Sequence, residues 1–147
     1  MSRFHFLGYF DIKEIQNKFD FINLFAFDFL TPNRNPQQAD YTAPIYLKND
    51  QNRLPYYTID YQVNHWIENG CPANKLNLGI ATYGRAWKLS KESGLSGVPI
   101  VENTIGPAEQ GNLTKTAGLL SYSEICLKIS KMDALKTSDK TKKFGNY

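Results

Sequence analysis

An α/β fold built on a parallel sheet is what this chain predicts, and three observations carry the prediction. Residues 20–29 and 75–85 form two almost continuously apolar runs, the pattern of parallel strands buried on both faces. Both runs end in polar or glycine-bearing residues, Asp28 in the first and Tyr83-Gly84-Arg85 in the second. Between them lies one amphipathic helical pattern, which makes the unit strand, helix, strand.

Taken in order, Asp11 and Glu14 have the spacing of a capping box. Ile12, Ile15 and Phe19 follow at helical intervals, so a short helix is expected over 12–19, leading into the first strand over 20–29. The stretch from Thr31 to about Tyr57 is rich in Pro, Asn and Gln, without sustained periodicity. So long a connection in a compact domain is usually functional or disordered. Thr58 suits the N-cap of the next helix, whose Ile59, Val63, Trp66 and Ile67 share one face, with Gly70 and Pro72 as the stop.

The second strand is expected over about Leu76–Thr82. From Lys88 to Gly118 the chain is punctuated by Gly94, Gly97, Pro99, Gly106, Pro107 and Gly111, which predicts short β-segments and loops. Ser121 and Glu124 form a second capping box, opening a helix through Ile125 and Ile129. After Ser130 the polarity rises and order is not expected. In parallel sheets ligands gather at the carboxyl ends of the strands. That places Asp28, the connection from Thr31 to Tyr57, Tyr83 and Arg85 on one face.

Composition bounds the function. A chain of 147 residues is the size of one ordinary domain, and a net charge of +3 is too small to argue for nucleic acid. Lys136, Lys140, Lys142 and Lys143 read as a solvated tail. Tyr and Phe supply most of a 14% aromatic content, which fits either a large core or a sugar-binding surface. No run reaches the roughly 20 apolar residues of a membrane span, and residues 1–10 lack the pattern of a signal peptide. Cys71 and Cys126 do not make a disulfide framework. His5 and His65 have no neighbours at metal-ligand spacing, and His65 reads as a surface residue. Trp66 and Trp87 read as core or contact residues, with a sugar platform as a second reading for Trp87.

Several motifs carry a family resemblance. Phe25-Ala26-Phe27-Asp28 stands where active family 18 glycoside hydrolases show Met-x-Tyr-Asp, and Thr42-Ala43-Pro44-Ile45-Tyr46 resembles the loop that follows it. The run from Leu78 to Arg85 resembles the family's strand-seven signature, and the run from Thr116 to Cys126 resembles the closing helix of its inserted α+β domain. Within the family, the segments Ala26 to Pro36 and Ala39 to Pro44 look most like the insect imaginal disc growth factors, secreted chitinase-like proteins without chitinase activity.

The resemblance implies a partial TIM (β/α)8 barrel, about strands six and seven with flanking helices, plus part of the inserted α+β domain. Residues 1–87 would be barrel, 88–131 inserted domain and 132–147 a tail that starts a truncated continuation. A whole barrel takes eight strands and about 250 residues. Here two full strands and a stub at Phe4 to Leu7 are legible. The family's catalytic Asp-x-x-Asp-x-Asp-x-Glu does not occur, and the eighth strand with its sugar-stacking Trp would follow Tyr147, so the chain reads as an interior fragment.

The implied function is binding without hydrolysis, by a secreted growth-promoting protein of the imaginal disc growth factor type. The alternative is a fragment of an active chitinase acting on β-1,4-linked N-acetylglucosamine polymers. Family 18 enzymes use substrate assistance, in which the sugar's acetamido oxygen attacks its own anomeric carbon. The Tyr of Met-x-Tyr-Asp donates a hydrogen bond to that group, and Phe27 has no donor. A missing preorganised donor typically costs about 10²–10³ in rate.

The resemblance thus implies that Phe27, Asp28, Tyr83 and Arg85 are relict substrate-binding residues. Asp28 has two readings, a sugar-contacting carboxylate or a strand-end carboxylate paired with an Arg or a backbone amide. Arg85 likewise reads as a cleft residue or as a structural ion pair. The implied partners are a chitooligosaccharide or other glycan, or a cell-surface receptor, with no cofactor, no metal, no nucleic acid and no membrane insertion. Asn112-Leu113-Thr114 is the chain's one glycosylation sequon. In the family the cysteine of the closing helix pairs near the carboxyl terminus, which places the partner of Cys126 outside this chain and predicts no Cys71–Cys126 bond.

Overall fold

The computed structural model describes residues 10–46, 54–93 and 100–131. The expected strand stub at Phe4 to Leu7 and the tail 132–147 lie outside the described residues. Helix α1 spans Ile12–Lys18, with Asp11 accepting from the Glu14 N–H at 3.1 Å. It is one residue shorter than the pattern predicts. Phe19 leaves in extended backbone and is 59% exposed instead of sharing the buried face of Ile12. The Lys75 ammonium donates to the carbonyls of Gln16 and Phe19 at 2.7 and 3.2 Å, satisfying orphan acceptors at that helix end.

Strand β1 (Ile22–Leu24) pairs in parallel with a later strand, β3 (Leu76–Leu78), in the register Ile22↔Leu76, Asn23↔Asn77, Leu24↔Leu78. Helix α2 (Ile59–Glu68) lies between them in sequence, so the strand–helix–strand unit is present. The ladder is much shorter than the apolar runs. Beyond Leu24 one further bond forms, from the Gly79 N–H to the Leu24 carbonyl at 2.9 Å. Asp28 then takes a positive φ of 55°, which ends extended geometry before Phe29. Past the ladder the first run still buries Ala26 and Phe29, while Phe25 and, in the second run, Ile80 are exposed. Apolar character thus extends beyond both the hydrogen bonding and the burial.

A second departure concerns the run 75–85. It is not one strand: Tyr83–Arg85 (β4) turns away and pairs antiparallel with Leu119–Ser121 (β6), in the register Tyr83↔Ser121, Gly84↔Leu120, Arg85↔Leu119. Over its described residues 31–46 the connection from Thr31 is also more ordered than its composition predicts. Arg34 and Asn35 donate backbone N–H groups to the Thr31 carbonyl, and Gln38–Ala39 (β2) pairs antiparallel with Val101–Glu102 (β5). Thr104 fastens the same segment, donating its N–H to the Gln37 carbonyl at 3.1 Å and its hydroxyl to the Pro36 carbonyl at 2.8 Å. A 3-10 turn over Pro55–Tyr57 precedes α2.

Thr58 caps α2 through a bond from the Tyr61 N–H at 3.2 Å. The helix stops where expected, in a Schellman arrangement with Gly70 at φ 99°: the Gly70 N–H reaches the Ile67 carbonyl and the Cys71 N–H the Trp66 carbonyl. Its inward face is Ile59, Val63 and Trp66, packed with Tyr57 and Leu76 on Leu24, Ala26 and Phe29 of the β1 segment. Ile67, expected on that face, is exposed. Helix α3 (Tyr122–Lys131) opens at Ser121, whose hydroxyl accepts from the Glu124 N–H while its own N–H donates to the Glu124 carboxylate at 2.8 Å. That is the reciprocal capping box read from the sequence.

Candidate functional site

The site is built on β4 and on the segment that leaves β1. Side chains two apart on a strand share a face, so Tyr83 and Arg85 point together while Gly84 faces the other way. A Cβ on Gly84 would sit 2.7 Å from the Ile125 Cδ1 of α3, so the residue must be small for the helix to approach. Facing Tyr83 and Arg85 is Asp28, presented by its left-handed backbone. The short polar side chain of Asp tolerates that conformation better than most, and such backbone is often found at functional sites.

The three side chains form one cluster. Arg85 grips the carboxylate through two bonds, Nε to Oδ1 at 2.8 Å and Nη2 to Oδ2 at 2.5 Å, and Tyr83 donates its hydroxyl to Oδ2 at 2.7 Å. The Arg85 guanidinium also lies 5.1 Å from the centre of the Tyr83 ring, within cation–π range. Phe27 meets Tyr83 edge-on at 6.1 Å, and Phe25 meets Phe27 likewise at 5.5 Å. The ion pair is mostly shielded, with 15% and 13% of the Arg85 and Asp28 side chains exposed.

Electrostatics follow from the contacts. Burial pushes Asp28 up, but the bonds from Arg85 and Tyr83 outweigh it and hold the carboxyl below the usual range. Burial and the Asp28 bond push the Tyr83 phenol up, and the Asp28 bond raises Arg85 further. At neutral pH the cluster therefore holds one ionised carboxylate and two protonated donors. Asp28 can accept hydrogen bonds or orient a ligand, but it has no proton to give. Among the described residues there is no group of three or more metal-ligating side chains.

The structure thus brings Phe27, Asp28, Tyr83 and Arg85 together, and of the two readings for Asp28 and Arg85 it draws the ion pair. The other residues singled out from the sequence lie apart from these contacts. The Trp87 indole N–H donates to the Asn35 carbonyl at 2.8 Å, tying the end of β4 to the connection. His65 is not a plain surface residue. It stacks on Tyr61 at 6.2 Å, and its Nε2 is buried without a hydrogen-bond partner. Cys71 is a buried thiol and Cys126 an exposed one.

Glu124 is the residue whose importance the sequence understates. Besides the capping box, its carboxylate accepts the N–H groups of Leu113 and Thr114 at 2.6 and 3.3 Å and the Ser121 hydroxyl at 2.9 Å. Burial raises its pKa, but these hydrogen bonds win and hold it at about 2, against an ordinary 4.5. A carboxyl lowered on folding stabilises the protein above its unfolded pKa and loses that contribution as pH falls toward its folded one. Unfolding midpoints measured from pH 6 to pH 2 should therefore drop below about pH 4.5. Part of that drop, down to about pH 2, should vanish in Glu124→Gln.

The model of the glycosyl hydrolases family 18 matches residues 2–147. The chain is 56% identical over 149 residues to the chitinase-like protein Idgf1 of Glossina morsitans morsitans, covering 95% of this chain and 34% of that protein. It is 53% identical over 150 residues to Idgf1 of Drosophila melanogaster, with the same coverage of 95% and 34%. The chain therefore spans about a third of the length of the curated relatives it matches.

Among solved structures, human YKL-39, described as a pseudo-chitinase with retained chitooligosaccharide binding properties, superposes with a TM-score of 0.76 at 32% identity. The match covers 90% of this chain and 35% of that one. Catalytic domain 2 of the Ostrinia furnacalis group II chitinase superposes with a TM-score of 0.80 at 22% identity, over 90% and 33%, a likeness of fold alone. These neighbours have the chitinase-type TIM-barrel fold.

Proposed function

The chain belongs to glycosyl hydrolase family 18, and on that premise we propose that it is part of a secreted, non-catalytic chitinase-like protein of the imaginal disc growth factor type. It acts by binding, to a glycan such as a chitooligosaccharide or to a cell-surface receptor, and so promotes growth. Its place in the larger molecule is that of barrel strands six and seven with part of the inserted α+β domain. Support for that placement comes from the apolar side chains left uncovered beside the two parallel strands, Phe25 at 73% and Ile80 at 81% exposure. They are large apolar groups that further strands would bury.

The observation that carries the reading is Phe27. Its ring packs against Tyr83, beside the carboxylate of Asp28, at the position where active members of the family present a tyrosine hydroxyl. Charge developing on a substrate acetamido group would meet an apolar edge instead of a donor. The name of the Idgf1 relatives, chitinase-like protein, and the retained chitooligosaccharide binding of YKL-39 agree with binding in place of turnover.

The test compares the full-length protein with Phe27→Tyr and Asp28→Ala in chitooligosaccharide binding. A relict lectin site predicts weak affinity that falls about tenfold or more in Asp28→Ala, the loss of a charge-assisted contact, and changes little in Phe27→Tyr. Equal affinity of all three proteins would move the interaction away from this cluster, to a protein surface that includes the connection from Thr31 to Tyr46.

A further inference from the structure

We propose that Asn112 carries an N-linked glycan, attached before the turn that holds it closes. The inference rests on the secreted reading above and adds a modified residue to it. Asn112-Leu113-Thr114 satisfies the acceptor pattern. In the folded chain Asn112 is exposed, and Leu113 beside it is 69% exposed. A sugar ring, apolar on one face, could lie over that side chain. The turn itself is fixed. Glu124 holds the Leu113 and Thr114 N–H groups, and the Lys115 N–H donates to the Gly111 carbonyl at 3.1 Å. A glycan at Asn112 would therefore project from a rigid base.

The order of events follows from Thr114. Transfer to an Asn-x-Thr acceptor uses the threonine hydroxyl as a recognition group and needs the three residues free to enter an active site. Here the Thr114 hydroxyl donates to the Leu119 carbonyl at 2.7 Å, and the backbone N–H groups of the turn are held by a buried carboxylate. The folded turn hides what the transferase reads, so attachment precedes closure. In the step, the Asn112 side-chain nitrogen bonds to the anomeric carbon of an oligosaccharide supplied as its polyprenyl pyrophosphate. The sugar–phosphate bond breaks, the lipid pyrophosphate leaves with the bonding pair, and the nitrogen gives up one proton to a base.

The experiment expresses the full-length protein in eukaryotic secretory cells, with its native leader and with a heterologous leader that forces entry. Peptides are mapped after amidase release of N-glycans in ¹⁸O-water. The expected result is ¹⁸O-marked conversion of Asn112 to aspartate in most molecules from the heterologous-leader arm. Asn112→Gln and Thr114→Ala should abolish it and Thr114→Ser should lower it. Glu124→Gln, which loosens the turn, should keep or raise occupancy.

Secreted wild-type protein with Asn112 unmodified in the heterologous-leader arm would overturn the proposal, whether or not the variants fold. Occupancy lost in Glu124→Gln but kept in wild type would overturn the order of events. Retention inside the cell in the native-leader arm alone would count against secretion and leave the modification to the other arm.

Discussion

Gly118→Ala is expected to destabilise the protein by about 2–4 kcal/mol, combining a strained left-handed backbone with overpacking. Gly118 sits at φ 71° where three segments meet. A Cβ there would lie 2.6 Å from Cγ of Pro32, 2.8 Å from Cβ of Pro107 and 3.1 Å from the Ala86 carbonyl oxygen. Proline rings cannot swing aside as a lysine or isoleucine tip can, so the backbone must move. That backbone is pinned, since the Gly118 N–H donates to the Ala108 carbonyl and its own carbonyl accepts from the Ala86 N–H at the end of β4.

Gly106→Ala is the matched control. Its φ is also positive, at 96°, but its nearest neighbour to a new Cβ is Pro36 at 3.8 Å, an ordinary contact. It should show the backbone cost alone, about 1–2 kcal/mol. Denaturant midpoints of the two variants separate the terms, and equal losses would remove the steric argument.

Arg85→Ala should cost about 2–3 kcal/mol. Breaking a fully buried ion pair by removing one partner typically costs about 3–5 kcal/mol, because the remaining charge stays desolvated. The 13–15% exposure of this pair lets water relieve part of that. Asp28 would keep only the Tyr83 hydroxyl, and its pKa, now held low by Arg85, would rise. The sign is fixed by that shift. Asp28 is lowered on folding, so the pair stabilises the protein above the ordinary carboxylate pKa and the contribution fades as pH falls below it. The penalty in Arg85→Ala should therefore shrink in acid, and Asp28→Asn in the same background should recover much of it. A variant as stable as wild type at neutral pH would mean that the cluster is held by packing on Phe27 and Tyr83.

The helices were legible because their signals are local. Thr58, Gly70 and Pro72 bracket α2, and Ser121 with Glu124 opens α3, within a turn or two of chain. The strand–helix–strand order was legible too, from the two apolar runs. Their hydrogen bonding was not, since an apolar run reports a tendency to be covered and says nothing of where a partner strand ends. The run 75–85 therefore conceals a change of partner, from parallel pairing at Leu76–Leu78 to antiparallel pairing at Tyr83–Arg85. The pairing of Gln38–Ala39 with Val101–Glu102 joins two short polar segments far apart in sequence, and no periodicity announces a two-residue strand.

At the candidate site, the motif positions pointed to Asp28, Tyr83 and Arg85 and left ligand contact and ion pair open. Only the meeting of β4 with the β1 segment decides how they pair. Glu124 showed its cap, three residues from Ser121. Its hold on Leu113 and Thr114 needed the fold.

The most direct test of the central claim is turnover by the full-length wild-type protein on chitooligosaccharides, measured in parallel with binding. The account predicts saturable binding with no steady release of reducing ends, because Phe27 offers no donor to the acetamido group. Steady release at rates typical of enzymes, about 1 s⁻¹ or more, would contradict it and make the chain part of an active chitinase.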